Sequence, residues 1–451
     1  MRPNILYIHS HDTGRFIQPY GHAVATPCLQ RLAEEGVLFR RAFSAAPTCS
    51  PSRACLLTGQ CAHSSGMLGL AHRGFALNDY SQHIVHWLRS AGYVSALAGV
   101  QHVAHDASMI GYDQVLAPAS TMDLGSSNRG AWDSATVAAT AAGYLRRPPD
   151  QPFFLSIGFT DTHREFGDPD PRDDPRYCIP PGRLPDTPAI RRDMSAFQSS
   201  ARRLDTGIGI VLDQLQASGL ADETLVICTT DHGIAFPGMK CTLTDYGIGV
   251  MLIMRGPGGF GGGKVCDAMV SQIDIFPTLC DLLDVDPASW LQGRSMMPLI
   301  RGESEEINEQ IFAEVTYHAA YEPQRAVRTQ RWKYIRRFGK RGTPVLPNTD
   351  DSPGKEVWVE HGWRERPVAS EQLYDLVFDP TESDNLTGVE ECNGILHDMR
   401  ARLDQWMVAT NDPLLQGDVP APPGTRVNDA AGVSPEEPTM PACSGPGAYP
   451  E

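Results

Sequence analysis

The sequence predicts an α/β protein: a large, mixed but mostly parallel sheet sandwiched by helices, followed by a smaller antiparallel-sheet subdomain. Three observations predict it. Short, nearly continuous apolar runs alternate with amphipathic stretches as far as residue 255, the pattern of strands buried on both faces and joined by crossover helices. Polar residues gather just after these runs, at His11-Asp12, His102, Asp161-Thr162-His163 and Asp231-His232. Open α/β sheets form their sites beyond the carboxyl ends of their strands. Finally, from about residue 310 the texture turns to Arg-, Lys- and Tyr-rich alternation.

Residues 4–9 form the first buried strand, an apolar run that ends in polar residues. Thr26-Pro27 reads as an N-cap with proline at the first helical position; Leu29, Leu32 and Ala33 supply the apolar face and Gly36 the stop. Further strands are expected at 93–100, 152–159, 225–230 and 250–255, with helices at 82–91, 132–145 and 194–217. The glycine-rich segment 256–263 lacks the G-x-x-x-x-G-K-[ST] spacing of a phosphate loop and reads as a surface turn. A late helix is expected at 394–410. The organisation is thus a catalytic domain over 1–310, a smaller α+β subdomain over 311–416, and a weakly ordered Pro/Gly-rich tail over 417–451.

Composition narrows the function. The 451 residues carry 38 Lys+Arg against 54 Asp+Glu, a net charge of −16, which disfavours nucleic acid or an anionic membrane as partner. At 41% hydrophobic and 20% charged the chain is globular rather than disordered. Eleven cysteines, an odd count without a C-x-x-C pair, fit a reducing compartment. No run reaches the roughly 20 apolar residues of a membrane span, and the short opening run is not a signal-peptide core. A cytoplasmic location is expected.

The most informative stretch is Cys49-Ser50-Pro51-Ser52-Arg53-Ala54-Cys55-Leu56-Leu57-Thr58-Gly59. C-x-P-S-R followed by L-T-G resembles the signature of the type I sulfatases, in the alkaline-phosphatase-like superfamily. The resemblance implies that Cys49 is oxidised to formylglycine by a formylglycine-generating enzyme. The hydrated aldehyde carries two hydroxyls: one attacks sulfur, and the other loses its proton to expel sulfate and restore the carbonyl. A thiol or a serine lacks the second hydroxyl and would stall. Arg53 would hold the hydrate.

A metal site is implied in the same way. Pro3-Asn4-Ile5-Leu6 through His11-Asp12-Thr13-Gly14 resembles the family's opening strand, and Thr229-Thr230-Asp231-His232-Gly233 its second ligand pair. His11, Asp12, Cys49, Asp231 and His232 are the expected ligands of one divalent cation. Ca2+ is the family's usual ion; His11, standing where the family has Asp, shifts preference toward Mn2+ or Zn2+. Gly99-Val100-Gln101-His102 resembles the family's G-K-x-H segment with valine in place of lysine. His102 and His163 are expected as acid or orienting groups, and Lys240 as a cation for the transferring group. The arrangement Ala313-Glu314-Val315-Thr316, Trp406 and Asn411-Asp412-Pro413 resembles the N-sulfoglucosamine sulfohydrolases most closely.

These residues imply hydrolysis of a sulfate ester or N-sulfate on a small molecule or saccharide, with a glucosamine-type sugar as one candidate. A homodimer is a family expectation. Two alternatives stay open: a phosphonate monoester or phosphodiester hydrolase, raised by His11 and Val100, and an inactive anion-binding relative. The basic stretch from Arg325 to Arg341 reads as a solvated strand face, with His318 and Tyr321 as weaker pocket candidates.

Overall fold

The computed structural model describes residues 2–116 and 133–441. The large sheet contains β1 (Asn4–Ser10), β2 (Val37–Phe43), β3 (Val94–Gly99), β4 (Gln114–Val115), β5 (Phe153–Gly158), β6 (Thr224–Thr230), β7 (Gly249–Val250), β8 (Leu252–Arg255) and β9 (Lys264–Ser271). Their order is β4-β3-β5-β1-β6-β8-β2-β7, with β9 also paired to β2. β4, β3, β5, β1 and β6 run parallel, whereas β8 is antiparallel to both β6 and β2. The expected 250–255 strand is therefore two pieces, and it reverses the sheet's direction.

β1 shows why this order is stable. Ile5 and Tyr7 face one side, with the Cys49–Thr58, Ile84–Ser90 and Ile275–Leu282 helices; Leu6 and Ile8 face the other, with the Pro27–Glu35, Ser134–Leu145 and Pro188–Ala217 helices. A strand apolar on both faces is stable only between two helical layers. Trp132, at the start of the expected 132–145 helix, lies outside the described residues. The long helix begins at Pro188 rather than 194, where the Thr187 side chain accepts the Ile190 N–H at 3.3 Å. Thr26 does not cap its helix; Asp205 of the long helix does, accepting the N–H groups of Cys28 and Leu29 at 3.1 and 2.8 Å.

The second sheet is antiparallel, in the order β10 (Gln310–Tyr317), β11 (Tyr321–Thr329), β12 (Trp332–Arg337), β13 (Glu371–Asp375). One face packs on the Asn393–Ala409 helix through Val327, Tyr334 and Leu373; the other meets the large domain at Phe43, Leu243 and Met269. The basic stretch corrects expectation here. Arg325 and Lys333 are fully buried and Arg328 nearly so, and all three pair with acids: Asp412 and Glu314, Asp245 and Glu382, and Asp245 respectively. Arg328 and Lys333 tie the second sheet to Asp245 of the large domain, Arg325 pairs within the subdomain, and none of the three faces solvent.

A second correction concerns the C-terminal segment. Over residues 417–441 it is packed, not loose. Val419, Ala421 and Val427 are buried, Tyr317 Oη donates to Val419 O at 2.6 Å, and Asn428 N donates to Ala319 O at 2.8 Å. Two short strands, β14 (Arg426–Val427) and β15 (Met440–Pro441), pair within it. The glycine-rich 256–263 segment is the turn between β8 and β9, closed by a Gly256–Phe260 bridge and anchored by fully buried Phe260.

Candidate active site

Strand register brings the scattered polar groups together. Ser10 lies opposite Thr230, and His9 opposite Gly158, so the chain leaves β1, β5 and β6 at one level. At that edge Asp12 turns into the left-handed region at φ 50°, and its N–H donates to Asp231 Oδ1 at 2.8 Å. His11 is held between strands by two backbone bonds, to Asp161 O and from Thr162 N.

His11, Asp12, Cys49 and Asp231 each offer an atom within 4.8 Å of all the others, and all four are buried. His11 Nδ1 lies 3.1 Å from Asp231 Oδ2. His232 adjoins this group, its Nε2 being 3.3 Å from Asp12 Oδ1 and 3.5 Å from Cys49 Sγ. The His232 Nδ1 faces Gly233 O at 3.0 Å, which assigns the proton there and leaves Nε2 a lone pair. Asp12 Oδ1 and His11 Nε2 are buried without a hydrogen-bond donor. Lone pairs that converge in a buried space repel one another unless a cation lies among them. The residues therefore fit a divalent ion with a mixed nitrogen and oxygen donor set. Burial, then the charge of Arg53, pushes His11 down to about 4, so its imidazole is the neutral form that ligates metals.

Cys49 is the first residue of the Cys49–Thr58 helix, where unpaired backbone N–H groups favour negative charge. Burial raises its thiol pKa well above the ordinary value despite nearby Lys240. As a plain thiol it is protonated and a weak nucleophile. Arg53, one helical turn on, points back beneath the cluster. Its Nη2 donates to Asp231 Oδ2 and Ser10 O, each at 3.0 Å, and its Nη1 meets His9 Nδ1. Arg53 thus braces Asp231 and does not line the cavity. Burial works against the charge on Asp231, but His232, Arg53 and His11 override it and hold the carboxylate well below its ordinary range.

Above the cluster opens a cavity of about 550 Å³, lined by Cys49, His102, His163, Lys240 and other side chains. Lys240 Nζ lies 3.0 Å from Asp12 Oδ2 and 2.9 Å from Asp350 Oδ2. Burial disfavours its charge, yet these carboxylates keep its pKa well above the ordinary lysine value. His102, at φ 56°, stacks on His72 with Nε2 3.0 Å from His72 Nδ1. Burial and then His72 lower its pKa far below the ordinary value. His163 turns Nδ1 to Arg164 O at 2.5 Å, between the cis peptides Asp161-Thr162 and Arg164-Glu165. Of the expected site residues, Cys49, His102, His163 and Lys240 line the cavity, His11, Asp12, Asp231 and His232 gather around Cys49, and Arg53 lies behind Asp231. His318 lines the cavity, whereas Tyr321 does not: its hydroxyl accepts the Val419 N–H at 3.0 Å.

Sequence reasoning missed Asp350, His72, Arg73 and Arg426, all of which line the cavity. They lie in loops, a short 3-10 turn and the C-terminal segment, with no spacing to mark them. Val100, where a lysine is expected, is buried and does not face the cavity.

Residues 3–285 match the Sulfatase family model, and residues 239–354 match the model described as N-sulphoglucosamine sulphohydrolase, C-terminal. The human N-sulphoglucosamine sulphohydrolase is 29% identical, over 91% of each chain. A solved structure of a protein in complex with its substrate D-glucosamine-2-N,6-O-disulfate superposes with a TM-score of 0.72 at 18% identity, covering 91% of this chain and 99% of the other. The phosphonate monoester hydrolase of Agrobacterium radiobacter superposes with a TM-score of 0.69 at 21% identity, covering 92% and 97%.

Proposed function

The chain belongs to the sulfatase family, and from that premise we propose that it is a formylglycine- and metal-dependent hydrolase of the N-sulfate or a sulfate ester of a glucosamine-type sugar. The observation that carries this reading is Cys49 at a helix N-terminus, inside a buried cluster of cation-binding groups and at the floor of a cavity. The matches to the N-sulphoglucosamine sulphohydrolase C-terminal model and to the human relative support the sugar. Formylglycine at position 49 would supply the attacking hydroxyl and the second hydroxyl that releases sulfate. A divalent cation held by His11, Asp12, Asp231 and His232 would supply Lewis-acid neutralisation of charge there.

The chain's own groups do the rest. Arg53 fixes Asp231 so that the ligand set is formed before substrate arrives. The Cys49–Thr58 helix N-terminus favours the anionic group at position 49. Lys240, kept protonated by Asp12 and Asp350, offers its remaining donor capacity to the oxygens of the transferring group. His163, with Nδ1 held by the Arg164 carbonyl, lines the cavity, and its doubly protonated form would donate the Nε2 proton to the departing nitrogen or oxygen. His102 is buried, uncharged and stacked on His72, and acts by positioning.

Every cysteine among the described residues is a free thiol, which supports the proposed cytoplasmic location; no described helix is long and apolar enough to cross a membrane. The test is expression with and without a formylglycine-generating enzyme. The mass of the Cys49 peptide is then compared with turnover of glucosamine N-sulfate and of a matched phosphodiester, under Ca2+ and under Mn2+. Turnover of the sulfated sugar that tracks the aldehyde content is expected. A phosphodiester rate far above the sulfate rate rejects the reading in favour of phosphoester hydrolysis. Unmodified Cys49 with no hydrolysis at all leaves only an anion-binding protein.

A further inference from the structure

The cavity carries cations that the reaction at Cys49 does not use. Arg73 closes a 3-10 turn (Ala71–Arg73), and Arg426 lies in β14; both line the cavity wall. Lys240 is neutralised by two carboxylates. The buried arginines elsewhere, Arg53, Arg164, Arg325 and Arg328, all face carboxylates. Arg73 and Arg426 are different. Among the described residues neither has a carboxylate oxygen within 4 Å; their partners are neutral.

Arg73 Nη1 donates to Asn428 Oδ1 at 2.7 Å and to Ala319 O at 3.3 Å, and its Nη2 to Pro435 O at 3.4 Å. Arg426 Nε donates to Thr439 Oγ1 at 2.8 Å and its Nη2 to Thr439 O at 2.6 Å. Neutral acceptors fix a guanidinium in place without cancelling its charge. Each fork keeps N–H donors uncommitted, in the geometry that binds carboxylate or sulfate oxygens. Glu436 lines the same rim and its charge acts on Arg73, but the two form no ion pair within 4 Å. In a chain of net charge −16, two such forks over a single cavity oppose the overall field. Cys49 is 2% exposed at the floor while Arg426 is exposed at the rim, so the forks meet a part of the substrate remote from the bond being cleaved.

We propose that Arg73 and Arg426 form a second anion subsite, so that the preferred substrate carries a further acidic group besides the sulfate that is removed. That group is a second sulfate on the same sugar or the carboxylate of an adjoining hexuronate. The proposal rests on the sulfated-sugar reading. The C-terminal segment thereby contributes directly to specificity, since Arg426 belongs to it and Arg73 grips it at Asn428 and Pro435.

The experiment measures both turnover and binding. Full-length enzyme bearing the aldehyde is assayed on glucosamine N-sulfate, on glucosamine N,6-O-disulfate, and on a disaccharide joining glucosamine N-sulfate to a hexuronate. The same ligands are titrated calorimetrically into the Cys49→Ala chain, which reads affinity even if none is turned over. One of the two doubly acidic ligands is expected to exceed the singly sulfated one about tenfold in kcat/KM and in affinity, and which one identifies the acid. Arg426→Gln should erase that preference through KM while changing the singly sulfated sugar less than twofold; Arg426→Lys should restore most of it. Arg73→Gln, which also loosens the segment, is read only against its melting temperature. Equal affinity of the unsubstituted chain for all three ligands, or an equal loss on all three in Arg426→Gln, overturns the subsite. Failure of the sulfatase reading shows separately, as absent turnover with the binding preference intact.

Discussion

Cys49 illustrates how position can matter more than residue type. A buried thiol whose pKa is driven up is inert, yet here it stands at a helix N-terminus, 3.5 Å from His232, within a buried group of side chains that could hold a cation. If the side chain acts after oxidation, neither Cys49→Ala nor Cys49→Ser should turn over, because neither can carry two hydroxyls on one carbon. Both variants should melt within a few degrees of the parent, and single-turnover assays should show at most a stalled sulfated serine. Multiple turnover by Cys49→Ala would sink the covalent route. His11 makes a second prediction. Its imidazole favours Mn2+ or Zn2+ over Ca2+, so His11→Asp should shift the ratio of Ca2+-supported to Mn2+-supported activity upward about tenfold. Reconstituting metal-stripped protein with each ion measures that ratio, and an unchanged ratio would remove His11 from the ligand set.

Strand tips set the positions of these side chains, and glycine makes the close approaches there possible. A Cβ at Gly158, the last residue of β5, would lie 1.9 Å from Val100 O and 2.6 Å from His9 Cε1. Gly99 adopts φ +81° and a Cβ there would strike Gly158 O at 2.3 Å. The two glycines let β3 and β5 stay paired up to the point where the chain turns toward His102. Gly158→Ala should therefore cost about 2 kcal/mol through overpacking. Activity should fall further than that loss of folded protein explains, since His102 and the β1 tip must shift. Thermal melts and kcat measured on the same preparation separate the two effects; a full melting temperature with full activity would contradict this account.

Buried charge ties the second sheet to the large domain. His63 Nδ1 lies 3.0 Å from Glu314, and Arg325 bridges Glu314 to Asp412. Cys61 completes a group that resembles a metal cluster, but Arg325 beside Glu314 makes it an ion-pair network instead. Burial opposes the charge on His63, and Glu314 overrides it, raising the pKa to about 11. Glu314 is likewise held at about 2, against burial, chiefly by His63 and Arg325. The signs follow. The His63 contribution is complete below 6.5 and is lost as pH climbs through about 11; that of Glu314 is complete above 4.5 and is lost as pH drops through about 2. Stability from this network should be whole between 4.5 and 6.5 and decline on either side. His63→Gln should cost about 3 kcal/mol in that window and flatten the alkaline decline. Melting temperatures across pH for both chains test it, and parallel curves would refute the assignment.

Signals that are local along the chain could be read without coordinates. The apolar run of β1, the C-x-P-S-R stretch and the polar pairs after β1, β5 and β6 depend on neighbours a few residues away, because pleat and helix periods are short. The members of the cavity cluster around Cys49 were legible for that reason. β2 and β9 were not: Arg40 and Arg41 interrupt the first, and the exposed first half of the second carries Lys264 and Asp267. Their pairing with each other, over more than 200 residues of chain, is what makes them strands. The same holds for Asp350 on Lys240, Asp205 capping a distant helix, and the C-terminal segment folded over the cavity. Sequence alone established the family of the protein and pointed to Cys49; folding decided which charges are spent on one another and which remain for a ligand, because an ion pair depends on distance in space and leaves no periodic trace along the chain.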